Sequence, residues 1–394
     1  MNLSDSEVKE YFDNIKSLKD VRKLFPVAES CVYLDNAHYS PYSLETRRRL
    51  TEFINKFTFE NYNLSLFNYR TSDNLRRLCA ELINAGKEEI AITTSATHGL
   101  NIFANGINLK AGDKVAFADS EFPALVYPWL NQEKLRGIIS VKIPSNNGII
   151  KFDEIEKTII ENEIKVLTIS SVGFLGYRCE LNRISELCRD RNVYLVVDAI
   201  QSTGIIPLDV KKTEIDFLAM GSQKWMQSPA GIGFCYVNKK ILEKLNPSYV
   251  GTTSIKYDFK NFLNYNLDFA EGSQRYENST LNTLGMIGMT SSIELFMKLG
   301  VENIFNHIKN LLDVLVLKID KSKFRIESLT DEIHRSNILI LSANDKSLNE
   351  SIQKKLEEKN IFIALREGYL RVSPHIFNNT KDIEKLTEEL NKLI

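Results

Sequence analysis

Apolar and polar positions come in alternating blocks through the middle of the chain. Lys114–Ala118 (KVAFA), residues 165–172 (KVLTISSV), 193–197 (VYLVV), 216–220 (DFLAM) and Gly233–Val237 (GFCYV) are short continuous apolar runs. Such runs read as strands covered on both faces. Residues 137–143 are likewise rich in Ile and Val. Between the runs lie segments with apolar residues at helical spacing. They are residues 125–135, Phe152–Asn162 with Ile155, Ile159 and Ile160, and a stretch presenting Leu181, Ile184, Leu187 and Cys188 on one face. The alternation predicts an α/β domain built on a mostly parallel sheet. No helical pattern separates 216–220 from Gly233–Val237, so one antiparallel strand is expected there.

The last third changes character. Ile304, Ile308, Leu311, Leu315 and Ile319 predict one long helix, Leu348, Ile352 and Leu356 a second, and Ile383, Leu386, Leu390 and Leu393 a third. Asn379 or Thr380 can cap the last of these, with Asp382 near its positive end. Strand candidates lie around residues 338–341, 361–364 and Tyr369–Val372. The pattern predicts three parts: an N-terminal segment (residues 1–25) packing with the small domain, a large domain (26–285) and a small α+β domain (286–394).

Composition narrows the function classes. With 43% hydrophobic and 26% charged residues the chain has the mix of a globular protein. Its 50 basic and 51 acidic residues nearly cancel, which argues against a broad grip on nucleic acid or an anionic membrane. No apolar run approaches the roughly 18 residues of a membrane-spanning helix. Residues 1–23 lack the apolar centre of a secretory signal, so a cytoplasmic address is expected. The five cysteines are odd in number and scattered, the pattern of free thiols in a reducing compartment. No HExxH or P-loop pattern occurs, and no metal is expected. The absence of a GxGxxG fingerprint after an early strand disfavours a nicotinamide dehydrogenase.

Ligands of an open parallel sheet collect beyond the carboxyl ends of its strands. Three unusual polar segments sit there. Residues 93–99 (TTSATHG) open a helix with small hydroxyl residues, either a phosphate cradle or an ordinary helix cap. Asp198 follows five apolar residues, where a carboxylate needs a cationic partner or caps the next turn. Lys224 lies at the end of an apolar run among glycines, and a desolvated lysine is a nucleophile toward carbonyls. A phosphate cradle, an acid and a lysine together suit pyridoxal 5′-phosphate. That cofactor needs an amine for its aldehyde, an acid for its ring nitrogen and donors for its phosphate.

From residues 33–37 (YLDNA) to 370–375 (LRVSPH), and most specifically over residues 197–233, the chain resembles the class V aminotransferase family of fold-type I pyridoxal phosphate enzymes. Cysteine desulfurases, kynureninase and isopenicillin N epimerase-like proteins belong to that group. The resemblance implies a large domain with a mostly parallel seven-stranded sheet and a smaller C-terminal domain. It implies that Lys224 forms the internal aldimine and Asp198 pairs with the pyridine nitrogen. By the same resemblance Gln201 touches the phenolic oxygen, and Phe122 stacks on the ring. Ala96, Thr97, Ser222 and Gln223 hold the phosphate. Thr280 reaches the phosphate of a neighbouring subunit, which makes the protein a homodimer with shared active sites. Arg371 matches the arginine that clamps the substrate carboxylate, and Asn36 and His38 lie in a turn facing the substrate. Ser279 stands where the family has glycine.

The expected activity is removal of the α-proton from a small amino acid, with transamination ahead of C–S or other β-lyase chemistry and of epimerisation. Persulfide-forming desulfurases carry a loop cysteine before the carboxylate-binding arginine. Residues 361–368 (IFIALREG) have none, and none follows Cys235. A non-catalytic scaffold is the remote alternative.

Overall fold

A computed structural model describes residues 3–256, 261 and 263–393. The chain opens with helix α1 (Asp5–Asn14), the single turn α2 (Val27–Ser30), the two-residue strand β1 (Val32–Tyr33) and long helices α3 (Leu44–Phe59) and α4 (Leu64–Ile83). An alternating stretch follows: β2 (Ile90–Thr93), α5 (Ala96–Gly106), β3 (Lys114–Ala118), α6 (Pro123–Arg136), β4 (Ile139–Ile143), α7 (Phe152–Asn162) and β5 (Ile164–Ser170). It continues with α8 (Leu181–Asp190), β6 (Tyr194–Asp198), β7 (Phe217–Gly221) and β8 (Gly233–Val237). The last third holds α9 (Thr283–Leu299), α10 (Val301–Lys318), β9 (Phe324–Ile326), β10 (Leu339–Ala343) and α11 (Asn349–Glu358). It closes with β11 (Ile361–Phe362), β12 (Ala364–Arg366), β13 (Tyr369–Val372) and α12 (Thr380–Lys392).

Seven strands pair in the order β2-β8-β7-β6-β5-β3-β4. Strand β8 runs antiparallel to β2 and β7 while the other pairs are parallel, the reversal expected from the missing helix. Every residue of β7 and β8 is buried, as two covered faces require. The parallel register sets Ser170 beside Asp198 and Asp198 beside Ala219, so β5, β6 and β7 end along one rim. Helix α5 reaches that rim because Gly99 lies flat on β7. A Cβ on Gly99 would come within 2.7 Å of the Ala219 Cβ.

Four antiparallel strands, β12-β13-β10-β9, form a second sheet. The chain's beginning lies beside it, in a separate two-stranded sheet. Strand β1 pairs in parallel with β11, Val32 opposite Ile361, and Arg22 bonds Asp382 at 2.7 and 3.0 Å. Phe25 stacks on Phe377 with ring centroids 4.9 Å apart. Helix α12 is capped by Asn379 with Asp382 reciprocating. Among the described residues no single helix is long and apolar enough to cross a membrane, and the apolar pair α9 and α10 is bent by 82° at Gly300.

Candidate active site

Lys224 stands three residues beyond the end of β7, in a turn with little freedom. The Ser222 N–H donates to Ile232 O (3.1 Å), its hydroxyl donates to Pro229 O (2.8 Å), and the Gln227 N–H donates to Lys224 O (3.0 Å). The next residue, Trp225, is fully buried; its Nε1–H donates to Gln201 Oε1 at 2.7 Å. Its carbonyl accepts from His375 Nε2 at 2.9 Å, while His375 Nδ1 accepts the Ile376 N–H at 2.7 Å. Those two bonds fix the tautomer, and burial pushes the His375 pKa down to about 3, so the ring is neutral.

The Lys224 amine has no hydrogen-bond or ion-pair partner among the described residues. It lies 5.5 Å from the centroid of the Phe122 ring. Burial lowers its pKa to about 8; Asp198 opposes that shift, and Arg371 and Arg366 add to it. Asp198 is buried at the end of β6, with Oδ1 accepting the Ile200 N–H at 2.9 Å. Its other oxygen has no donor among the described residues. Burial raises the pKa of this carboxyl against the pull of the Ile200 N–H and Lys224. A second carboxyl, Glu121, lies behind Phe122 and accepts the Ser170 N–H (2.8 Å) and the Ser170 hydroxyl. Burial is the main reason its pKa rises to about 7, and Asp198 adds to the shift.

Ala96 and Thr97 are the first two residues of α5, whose initial N–H groups have no acceptor within the helix. The Ser95 hydroxyl caps the turn by accepting the His98 N–H at 3.1 Å. A Cβ on Gly221 would lie 3.4 Å from the Ala96 nitrogen and 2.9 Å from Gln223 Oε1. The helix start, the strand end and Gln223 therefore adjoin. Two expected contacts are spoken for inside the chain. Gln201 gives Oε1 to Trp225 and donates from Nε2 to Ala37 O at 3.2 Å, and the Ser222 hydroxyl serves Pro229. Thr280 is exposed and lines a cavity of about 50 Å³ with Thr94, His98 and Asn282.

The second wall comes from the two ends of the chain. Arg371, on β13, is buried; it donates to Phe174 O at 3.2 Å and meets Asp35 Oδ1 at 3.4 Å, with Nε unpartnered. Burial lowers its pKa to about 10 against the attraction of Asp35. The other Asp35 oxygen lies 3.4 Å from His38 Nδ1. His38 is exposed and its pKa is lowered, through burial first and against the pull of Asp35. Asn36 is buried and fully engaged, donating to Ser373 O (2.8 Å) and accepting from the Ser40 hydroxyl (2.9 Å). It braces the turn that carries Asp35 and His38.

Sequence reasoning did not single out Glu121, Asp35, Arg366 or His375. Glu121 carries the signal that marked Asp198, an acid just past an apolar strand. Arg366 carries another, as one flank of a two-residue turn whose other strand holds Arg371.

A family model described as aminotransferase class-V matches residues 32–386. A probable cysteine desulfurase of Methanothermobacter thermautotrophicus is 26% identical, over 95% of this chain and 98% of that protein. An uncharacterized aminotransferase of Bacillus subtilis is 25% identical, over 94% and 96%. Among solved structures, the apo cysteine desulfurase from Thermococcus onnurineus superposes with a TM-score of 0.86 at 23% identity, over 97% of this chain and 99% of that one. The cystine C–S lyase C-DES, in complex with its product cysteine persulfide, gives 0.86 at 22% identity, over 93% and 99%. Both share the fold. Since the family match runs through all three sheets and the turn bearing the unpaired amine, the chain belongs to the class-V aminotransferases, a family of pyridoxal 5′-phosphate-dependent enzymes.

Proposed function

We propose that this chain is a transaminase of a small amino acid, working as a cytoplasmic homodimer. The observation that carries the reading is the Lys224 amine, half-buried and unpaired on the face of Phe122, with the buried carboxylate of Asp198 acting on it. The residues fit the cofactor. Lys224 offers a free amine for an aldehyde, and Asp198 offers an oxygen with no protein donor for a ring N–H. Phe122 offers a face, and the N–H groups of Ala96 and Thr97, with Gln223 beside them, offer donors for a phosphate. When bound, pyridoxal phosphate draws electrons from the α-carbon of an amino acid.

The chain's own groups do the rest. Arg371 presents a planar pair of donors to the α-carboxylate. Lys224, neutral above a pKa of about 8, accepts the proton from Cα. Asp198 keeps a negative charge at the far end of the site from the substrate. His38 and Asp35 border the same opening, where His38 can read a polar group or relay a proton. Exposed apolar residues including Tyr39, Phe57, Phe59 and Tyr69 support a covering second copy, with Thr280 exposed for a phosphate held next door. Five free cysteines support a reducing compartment.

C–S or other β-elimination is the second reading, favoured by the desulfurase and lyase relatives. The lack of a cysteine ahead of Arg371 disfavours its persulfide-forming form, since a transferred sulfur atom would find no thiol acceptor there, whereas release of the β-substituent to solvent needs none.

Absorbance on adding pyridoxal phosphate and borohydride trapping at Lys224 test the cofactor assignment. A colourless protein with no trapped adduct sinks it. A panel of amino acids assayed for keto acid, ammonia and sulfide together separates the reactions. Keto acid with no ammonia or sulfide, and with the cofactor left aminated, is the expected result. Ammonia released in step with keto acid selects the lyase. Light scattering at micromolar concentration tests the dimer.

A further inference from the structure

The hairpin β12–β13 carries two guanidinium groups on one face. Its register sets Ala364 opposite Arg371 and Arg366 opposite Tyr369. Side chains alternate along a strand, so all four residues share a face. Arg366 and Arg371 are diagonal neighbours, about 7–8 Å apart along the backbone, and only the methyl group of Ala364 stands opposite Arg371. The turn between the strands, Glu367 and Gly368, is left-handed at both positions, φ 50° and 77°, which fixes a two-residue connection and hence the register.

Like charges so placed repel unless an anion stands near both. The chain supplies one carboxylate, Asp35, and divides it between Arg371 and His38 at 3.4 Å each. Arg366 has no carboxylate among the described residues; one of its nitrogens donates to the adjacent Leu365 O at 2.8 Å. The register places it on the hairpin face that carries Arg371, and its charge acts at Lys224, Arg371, Asp35 and His38 alike. The opening therefore holds one cation more than an α-carboxylate needs.

We propose that the substrate is an amino acid with a second acidic group, which Arg366 binds while Arg371 holds the α-carboxylate. The inference deepens the preceding reading and rests on it. Arg366 is then the residue that selects an aminodicarboxylic acid over a neutral one of equal length.

The test uses two inert probes, glutarate and valerate, titrated calorimetrically into protein loaded with pyridoxal phosphate. They differ only in a carboxylate replacing a terminal methyl group. Glutarate is expected to bind roughly tenfold to a hundredfold more tightly, the effect of one charge-assisted hydrogen bond. Arg366→Gln abolishes that preference, and Arg366→Lys keeps part of it. Equal binding of the probes by the wild type overturns the proposal even if a variant fails to fold, and so does a preference that survives Arg366→Gln. Cofactor uptake and trapping at Lys224 are read on the same samples. Failed trapping condemns the cofactor reading, whereas trapping with no preference for glutarate condemns only the role of Arg366.

Discussion

Arg76 and Arg371 are both buried, and the chain treats them in opposite ways. Arg76, on α4, forks onto Glu277 with contacts of 2.9 and 2.6 Å, and Glu277 also accepts the Ile92 N–H at 2.9 Å. Burial pulls the Arg76 pKa down, but the bonds to Glu277 more than offset it and leave it raised. Arg371 meets its nearest carboxylate only at 3.4 Å, keeps an unpartnered Nε and has a lowered pKa. A saturated guanidinium belongs to the architecture, here tying the segment that leads to Thr280 onto edge strand β2. An unsaturated one holds donors in reserve for something that arrives.

That contrast can be broken in several places. The largest effect is expected from Arg76→Ala, which strands the Glu277 charge and should cost about 3–5 kcal/mol of unfolding free energy in denaturant titrations. A loss under about 1 kcal/mol, the range of an exposed pair, would erase the distinction. Arg371→Ala should instead lower kcat/KM by roughly tenfold to a hundredfold, while its denaturation midpoint stays close to wild type. Arg371→Lys should recover only part of the rate, since an ammonium cannot present two parallel donors. His375→Ala removes the donor to the Trp225 carbonyl and should cost about 1–3 kcal/mol of stability. Because that carbonyl adjoins Lys224, the variant should also capture the cofactor aldehyde more slowly by absorbance.

The smallest effect is a pH dependence in cofactor-free protein. Lys224 reacts as the neutral amine, so the rate of aldehyde capture should climb with pH and level off above about 8. Between about 8 and the ordinary value of 10.5 the unfolded chain holds a proton that the folded chain has lost. Stability therefore gains from this group as pH rises through that window. A capture rate still climbing steeply at about pH 10, the range of an ordinary lysine, would show an amine without the depressed pKa.

Strands covered on both faces were legible because a short, unbroken apolar run bounded by turn residues suits a buried strand and little else, and β3, β8 and β13 run over the residues expected. Helix α9 was not legible. It is apolar around most of its circumference and buried along nearly its whole length, so it shows no helical period. Helices α3 and α4 also lie beyond the expected elements; their apolar faces are narrow and much of their surface is exposed. At the site, Lys224 and Asp198 stood out by position relative to strand ends and Phe122 through the family resemblance; the Lys224 amine lies 5.5 Å from the Phe122 ring centroid, and the charge of Asp198 acts on it. Where Gln201 and Ser222 spend their hydrogen bonds depends on Trp225 and Pro229, contacts across turns that no spacing rule encodes. Asp35 meets Arg371 across 336 positions, a pairing that local pattern cannot show.

That long span governs the order in which the protein becomes competent. A ribosome releases Lys224 and Asp198 well before Arg371, and β1, made near the start, waits for β11 before it has a partner. The newborn chain thus carries Lys224 and Asp198 before it has Arg371 or His375, whose ring holds the Trp225 carbonyl. Messages truncated between residues 320 and 365 would yield polypeptides bearing the Lys224 amine without Arg366 or Arg371.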